Sequence, residues 1–258
     1  MLKLVLTTIY RDPEIFLREL LANASDAIAK HRNIKESCHE EVEPQPFVRI
    51  IPDKRNNTLT IIDNGIGMTK CDLINSLGTI ARRSSFLDIQ PPEVSLIGLF
   101  GLGFYSAFLV GRRVIVTSKH EDDEAYVWEA DIDKGTFTVK RDTLRPSADY
   151  LQLERGTRVE IHLEESQREF LEESRLRAVV KKHSLFLSCP IHLQVERRSG
   201  WGPFGMVLGP EEEDPNVSPW KKEWVHLNRN PQIWTQRPED LTKEQYDTFY
   251  KSFTEDFE

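Results

Sequence analysis

The stretch TLTIIDNGIG occupies residues 58–67 and directs the interpretation of the whole chain. Its first six residues are mostly β-branched or apolar, which predicts a strand ending at Asp63. Asn64-Gly65 is a strong turn signal. A strand-end carboxylate can accept a hydrogen bond from an exocyclic amine, worth ~1.5–3 kcal/mol, and Gly67 would let a flat ring approach the backbone. The same residues also fit a plain turn between a strand and a helix, so they leave both interpretations open.

A helix is predicted upstream, over residues 12–32, because Asp-Pro is a typical helix start. Four polar residues in it, Glu19, Asn23, Asp26 and Lys30, recur at steps of four, three and four, so they share one face. An amide oxygen can ligate magnesium, and a carboxylate one turn away can orient a water. A solvated helix face would show the same spacing, and the spacing does not separate the two.

A glycine-rich loop follows, with Gly98, Gly101 and Gly103 placed before an aromatic residue. Backbone amides in such a loop can cradle phosphate oxygens. It is not a Walker loop, because no Gly-Lys-Ser/Thr follows. It is not the dinucleotide fingerprint, because Ser106 stands where the last glycine should be. Arg82, upstream of the loop, could reach phosphates or could be an ordinary surface residue.

The remaining pattern predicts a mixed α/β chain with two parts. A first domain is predicted over residues 1–197, a linker rich in Gly, Pro and acidic residues over 198–219, and the truncated beginning of a second domain over 220–258. Further strands are predicted at 47–51, 113–119, 125–131, 136–141, 157–163 and 191–195, and further helices at 72–83 and 169–185.

Composition and charge exclude several functions. The 258 residues have a formal net charge of −8, so a broad electrostatic grip on nucleic acid is not expected. The three cysteines have the spacing of neither a zinc site nor a disulfide framework, and we expect thiols in a reducing compartment. No run of about 18 apolar residues is present, so no membrane span and no membrane partner are expected.

In this order, the motifs resemble the GHKL ATPase superfamily of gyrases, histidine kinases, MutL and heat-shock chaperones, and most closely the heat-shock protein 90 chaperones. Two C-terminal stretches, residues 230–234 (NPQIW) and 249–252 (FYKS), resemble the start of that family's middle domain. The other stretches that carry the resemblance are residues 14–20 (EIFLREL), 23–27 (NASDA), 63–69 (DNGIGMT), 77–81 (LGTIA) and 104–107 (FYSA).

The resemblance implies a fold, ligands and residue roles. The fold would be an α/β (α+β) two-layer sandwich of Bergerat type, with helices covering a mostly antiparallel sheet and ATP or ADP with Mg²⁺ between them. Asp63 would accept the adenine amine, supported by Gly67 and Thr157 through water. Glu19 would be the catalytic carboxylate, and Asn23 would hold Mg²⁺. Further nucleotide-binding positions would be Asp26, Lys30, Met68, Ser76, Leu77, Arg82, Gly101, Leu102, Gly103 and Phe104.

The resemblance also implies an ATP-dependent chaperone that acts on client proteins with co-chaperones and forms a homodimer through a domain beyond Glu258. The expected location is the cytoplasm, with the endoplasmic reticulum or another organelle as the alternative. Leu99 and Ser76 replace a glutamine and an asparagine of the family pattern, and the lid after Arg82 is shortened. A module that binds ATP or ADP without hydrolysing it therefore remains an alternative, as does another GHKL ATPase.

Overall fold

The computed structural model describes residues 2–38, 44–78, 103–143, 153–185, 187–198, 220–228, 237, 241–244 and 246–247. Within these ranges, the structure has four α-helices and eight strands. The helices are α1 (Leu2–Ile9), α2 (Ile15–Ser37), α3 (Lys70–Leu77) and α4 (Glu173–His183). Two 3-10 helices span Gly103–Leu109 and Glu165–Leu171. The strands are β1 (Val48–Asp53), β2 (Thr58–Asp63), β3 (Gly111–Lys119), β4 (Tyr126–Asp131), β5 (Thr136–Arg141), β6 (Gly156–Leu163), β7 (Ile191–Arg198) and β8 (Trp220–His226).

The strands form one sheet in the order β5-β4-β3-β6-β2-β1-β7-β8. All neighbouring pairs are antiparallel except β1 and β7, which are parallel. Helices lie over this sheet, so the fold is the two-layer, mostly antiparallel α+β sandwich that the sequence predicts. None of the helices in the described part of the chain is long and apolar enough to cross a membrane.

Helix α2 is the main element packed on the sheet, and its apolar side enters the core. Phe16 and Phe170 meet edge to face at 5.1 Å between ring centroids, a favourable aromatic geometry. The buried residues of the helix are Phe16, Leu17, Leu20, Leu21, Ala22, Ala24, Ile28 and His31. Their spacing leaves the opposite polar positions half-buried, which is where the four predicted polar residues lie.

Strand β8 comes after the 198–219 segment and still joins the first sheet. It pairs with β7 from His192–His226 to Arg198–Trp220. Residues 220–226, which were predicted to begin the second domain, are hydrogen-bonded to β7 of the sheet. Residues 199–219 of the predicted linker and most residues after 228 lie outside the described residues, so the domain boundaries stay a prediction.

Candidate functional site

Asp63 ends β2 as a buried carboxylate, with 6% of the residue exposed. Its Oδ1 accepts a 2.8 Å hydrogen bond from the N–H of Gly65, and the N–H of Thr157 also donates to the carboxylate. Burial raises the pKa of Asp63 from 3.8 to about 7, and these two bonds and the charge of Arg155 oppose the rise only in part. A buried carboxyl that ionises near neutral pH is typical of a recognition or catalytic site.

The loop after Asp63 closes against β3. Gly67 has φ +74°, and a Cβ there would overlap the carbonyl oxygen of Lys119. The chain therefore needs glycine at this position. Next to it, the N–H of Met68 donates to the hydroxyl of Ser118 at 2.8 Å. That hydroxyl lies 2.9 Å from the hydroxyl of Thr157 on β6. The structure therefore brings Asp63, Gly67 and Thr157 together around one small polar cluster.

Helix α2 contacts the site at two levels. The N–H of Ile66 donates to the carbonyl of Ala27 at 3.0 Å, which fixes the Asp63 turn beside the middle of the helix. Eight residues earlier, the Oε2 of Glu19 lies 2.5 Å from where a Cβ of Gly103 would stand. At about 1.5 Å per residue, the two contacts are about 12 Å apart along the helix axis. Gly103 therefore lies beside Glu19, and the turn after Asp63 lies beside Ala27, further along the same helix.

The apolar residues predicted for the site, within the described part of the chain, belong to or pack against the hydrophobic core. Leu77 is buried at the end of α3, and its carbonyl accepts a 2.8 Å hydrogen bond from the hydroxyl of Tyr105. The ring of Phe104 meets Tyr105 edge to face at 5.5 Å and Trp128 at 5.4 Å. Met68 packs against the same core. An apolar wall beside one buried carboxylate is the usual composition of a small-molecule site.

The other predicted residues on α2 and α3 are Asn23, Asp26, Lys30 and Ser76. Burial lowers the pKa of Lys30 to about 8, although the charges of Asp26 and Asp72 oppose this. Asn23 and Ser76 are half-buried. Arg82, Gly101 and Leu102, and the altered lid with Leu99, fall outside the described residues. The predicted phosphate-facing part of the site is therefore represented only by Gly103 and Phe104.

Three residues at this site were not predicted from the sequence. Ser118 is fully buried and ties the Gly67 loop to β3 and β6. Arg155 bonds the carbonyls of Asn64 and Gly65, and Glu121 pairs with Arg155. Ser118 and Arg155 lie in or beside predicted strands, and the β-strand pattern gave no functional signal at either. Only the pairing of β2 with β6 and of β6 with β3 brings these residues to Asp63.

Two family models match the chain. One, described as "Histidine kinase-, DNA gyrase B-, and HSP90-like ATPase", matches residues 10–162, and the other, described as "Hsp90 protein", matches residues 209–258. The first match contains every part of the site described above, from Glu19 to Thr157. The second begins inside the predicted linker and includes β8.

Individual relatives match over the whole chain. An endoplasmin homolog of Caenorhabditis elegans is 38% identical over 100% of this chain and 36% of its own length. The chaperone protein HtpG of Myxococcus xanthus is 39% identical over 100% of this chain and 38% of its own length. The putative heat shock protein HSP 90-beta 4 of Homo sapiens is 35% identical over 100% of this chain and 57% of its own length. The chain thus spans between about a third and about half of the length of these relatives.

The fold, the site and the comparisons agree with one another. The mostly antiparallel sheet is covered by helices, and the family match extends over α2, the Asp63 turn and β6. The named relatives, at 35% to 39% identity, are HtpG, endoplasmin and HSP 90 proteins. The chain therefore belongs to the family of histidine kinase-, DNA gyrase B- and HSP90-like ATPases, and within it to the HSP90 proteins.

Proposed function

We propose that this chain binds ATP or ADP, with the adenine amine on the carboxylate of Asp63, and serves as the nucleotide-binding region of an ATP-dependent chaperone. The observation that supports this most is the double contact of α2. One rigid helix lies beside the buried acceptor at Ala27 and beside Gly103 at Glu19. A purine held at the first contact would direct its phosphates toward the second.

Asn23 and Glu19 are the residues we assign to Mg²⁺ and to water. They are one turn apart on the face of α2 that carries both contacts, and an amide oxygen is a ligand that Mg²⁺ accepts. Bound Mg²⁺ would neutralise phosphate charge. Glu19 has 18% of its side chain exposed, and it could hold a water as a general base. Asp26, Lys30, Met68, Ser76, Leu77 and Phe104 would line the space between, and Arg82, Gly101 and Leu102 complete the proposed site.

Nucleotide binding is tested by titration calorimetry with ADP on the parent and on Asp63→Asn. We expect Asp63→Asn to weaken binding at least tenfold, because an amide exchanges one acceptor oxygen for a donor and loses a charged hydrogen bond. Asp131→Asn is the matched control, since Asp131 also ends a strand and also accepts a hydrogen bond from the N–H two residues on, at 2.9 Å. Equal ADP affinity in the parent and Asp63→Asn would rule out the proposed adenine contact.

Hydrolysis is tested separately, by single-turnover measurement with ATP in a full-length context. Glu19→Ala should lower the rate by about 10²-fold or more, as loss of a general base does, with little change in affinity. Glu36→Ala on the same helix is the control, because Glu36 pairs with Arg32 on an exposed surface away from the site. A Glu19→Ala rate equal to the parent rate would refute this role.

One observation favours a second candidate, a module that binds nucleotide without turnover. Arg18 Nη2 lies 2.5 Å from Oε1 of Glu19, so the carboxylate is engaged by a cation in this conformation. The pair is partly exposed and therefore weak, which lets a bound nucleotide displace it. Nucleotide binding without measurable hydrolysis in the parent, with hydrolysis appearing in Arg18→Gln, would support this candidate.

The chaperone activity, its clients and co-chaperones, homodimer formation and a cytoplasmic location belong to the proposal. They rest on relatives that are about two to three times as long as the matched region. The names of further relatives include both endoplasmin and a mitochondrial heat shock protein. Suppression of client aggregation with and without ATP, measured by light scattering, tests the chaperone part.

A further inference from the structure

Arg155 reaches from the start of β6 under the turn that follows Asp63. Its side chain is only 10% exposed. One guanidinium nitrogen, Nη1, donates both to the carbonyl of Asn64 and, at 2.5 Å, to the carbonyl of Gly65. Both carbonyls belong to the turn whose N–H at Gly65 binds the Asp63 carboxylate. The arginine therefore holds this turn, which is also held by the hydrogen bond from the N–H of Ile66 to the carbonyl of Ala27 on α2.

A second set of contacts holds Arg155 itself. Glu121, in the loop after β3, places Oε1 at 3.5 Å from the Nε of Arg155. The same carboxylate lies 3.2 Å from His31 Nε2 and 3.3 Å from Lys35 Nζ, both on α2. Glu121 is thus shared between the helix and the arginine. The network links α2, the β3–β4 loop, the start of β6 and the turn. It is separate from the hydrogen bonds of Ser118 with Met68 and Thr157.

The charge of Arg155 also acts on the Asp63 carboxylate. The groups that interact with this carboxylate in the described part of the chain are two backbone N–H groups, Arg155 and the thiol of Cys189. Burial raises the pKa of Cys189 to about 11, so that thiol stays neutral over the physiological range. Arg155 is consequently the charged group that favours the ionised form of Asp63.

We propose that Arg155 is a positioning residue for purine recognition: it fixes the Asn64–Gly65 turn and supplies the positive charge that keeps the Asp63 carboxylate available as an acceptor. The inference rests on the proposed adenine contact. It adds a residue that need not touch the nucleotide. Glu121, His31 and Lys35 set the position of the guanidinium and extend the device to α2.

The test is the pH profile of ADP affinity, measured by calorimetry on the intact chain between pH 6.5 and pH 9. Arg155→Gln removes the charge and keeps an amide donor. The positive charge of Arg155 lowers the pKa of Asp63, and a nearby opposite charge typically shifts a carboxyl by about one pH unit, so the midpoint of the affinity profile should move upward by about that amount. Affinity should then fall about fivefold at pH 7 and approach the parent value at pH 9.

Arg155→Lys distinguishes charge from shape and serves if the glutamine variant fails to fold. It keeps the positive charge, so its midpoint should match the parent, with a small affinity loss at every pH because an ammonium lacks the guanidinium fork. Arg113→Gln, which removes another arginine from a carboxylate pair on β3, should leave the profile unchanged.

Two results would overturn the proposal. One is an affinity loss in Arg155→Gln that is equal at every pH, which would mean a purely structural role. The other is a midpoint in Arg155→Lys displaced by as much as one unit. Failure of the proposed function itself is distinguishable, because the parent would then not bind ADP or Asp63→Asn would bind it equally.

Discussion

Burial of Asp63 has two consequences that act in opposite directions. It removes a charged carboxylate from water, which is unfavourable for the folded chain. It also places an acceptor in surroundings where a hydrogen bond to a ligand is not weakened by competing water. The pKa of about 7 reports this balance, because the folded chain holds the Asp63 proton more tightly than the unfolded chain.

Nucleotide binding should therefore depend on pH and release a proton. In the proposed contact the amine of adenine binds the ionised carboxylate more strongly than the neutral acid, so binding would deprotonate the molecules that carry a neutral Asp63. With a pKa of about 7, ADP affinity should be about fourfold lower at pH 6.5 than at pH 8.5. Calorimetry at pH 6.5 in two buffers of different ionisation enthalpy measures the number of protons released on binding. Proton release no greater than the ionisation of ADP itself supplies would contradict the assignment.

The same residue should destabilise the ligand-free fold as pH rises. Because the folded pKa is raised, stability present at acid pH is lost as pH increases toward and through 7, by about 3 kcal/mol between pH 5 and pH 8. Asp63→Asn does not titrate, so its free energy of unfolding relative to the parent should improve by that amount over this interval. Urea unfolding at both pH values measures the difference, and parallel pH profiles for the two chains would refute it.

At the scale of elements, the start of α2 was predicted at Asp12, three residues before its first residue, Ile15, and its end at residue 32, five residues before Ser37. Its connection to α4 was not predicted. Asp12 accepts a 3.1 Å bond from the N–H of Glu14, as its Asp-Pro sequence suggests. Glu14 is itself buried and contacts Arg175, Lys182 and His183, which lie on α4 in the second half of the chain. No local sequence pattern predicts these contacts between two helices that are far apart in the chain. A polar residue at a helix start looks the same whether it faces water or a distant helix.

Glu14→Ala should consequently destabilise the fold by about 3 kcal/mol, because it leaves partly buried cations without their carboxylate. Lys54→Ala is the matched control. It breaks the Lys54–Glu172 pair, whose side chains are 58% and 56% exposed. Loss of so exposed a pair should cost about 0.5 kcal/mol at most. Urea midpoints at constant m-value give both numbers, and similar values for the two variants would contradict the assignment of Glu14 as a buried link between helices.

The turn that leads into β6 offers a further comparison. Gly156 has φ +112°, and a Cβ there would overlap the carbonyl of Asp63, whereas Gly135 has φ +63° with no atom within 4 Å of its Cβ position. Gly135→Ala should lose about 1–2 kcal/mol from backbone strain alone. Gly156→Ala should lose more and should also weaken ADP binding. Thermal unfolding with and without ADP separates the loss of stability from the loss of binding. Equal losses of stability in the two variants would show that the overlap with the carbonyl of Asp63 adds nothing to the backbone strain.

At the scale of the whole molecule, local periodicity predicted where most strands lie in the sequence, but not which strands pair in the sheet. Strands β2 to β6 were predicted nearly to the residue, because alternation and turn residues are local signals. Helix α1 and strand β8 were not predicted. The first is short and exposes Leu4, Val5 and Ile9, and the second is mostly exposed at the sheet edge. The predicted helix 169–185 is a 3-10 helix followed by α4.

The site shows the same division between local and distant information. Asp63, Gly67 and Glu19 lie in motifs with an internal chemical logic, and the structure places the Asp63 turn and Gly103 along one helix, α2. Ser118, Glu121 and Arg155 become part of the site only through strand pairing and side-chain reach. The resemblance to a known family supplied the roles of the first group and gave no sign of the second.

The edge strand β8 has a mechanical consequence. Asn228, just beyond it, accepts a 2.8 Å bond from the N–H of Ile191 and donates to the carbonyls of Cys189 and Leu187 at 2.9 and 3.4 Å. A force that pulls on the chain beyond this asparagine would first act on these three hydrogen bonds. Once they opened, the antiparallel ladder with β7 would unzip one rung at a time from the end nearest Cys189. Such a force would thus first change the structure beside Cys189, whose thiol interacts with Asp63.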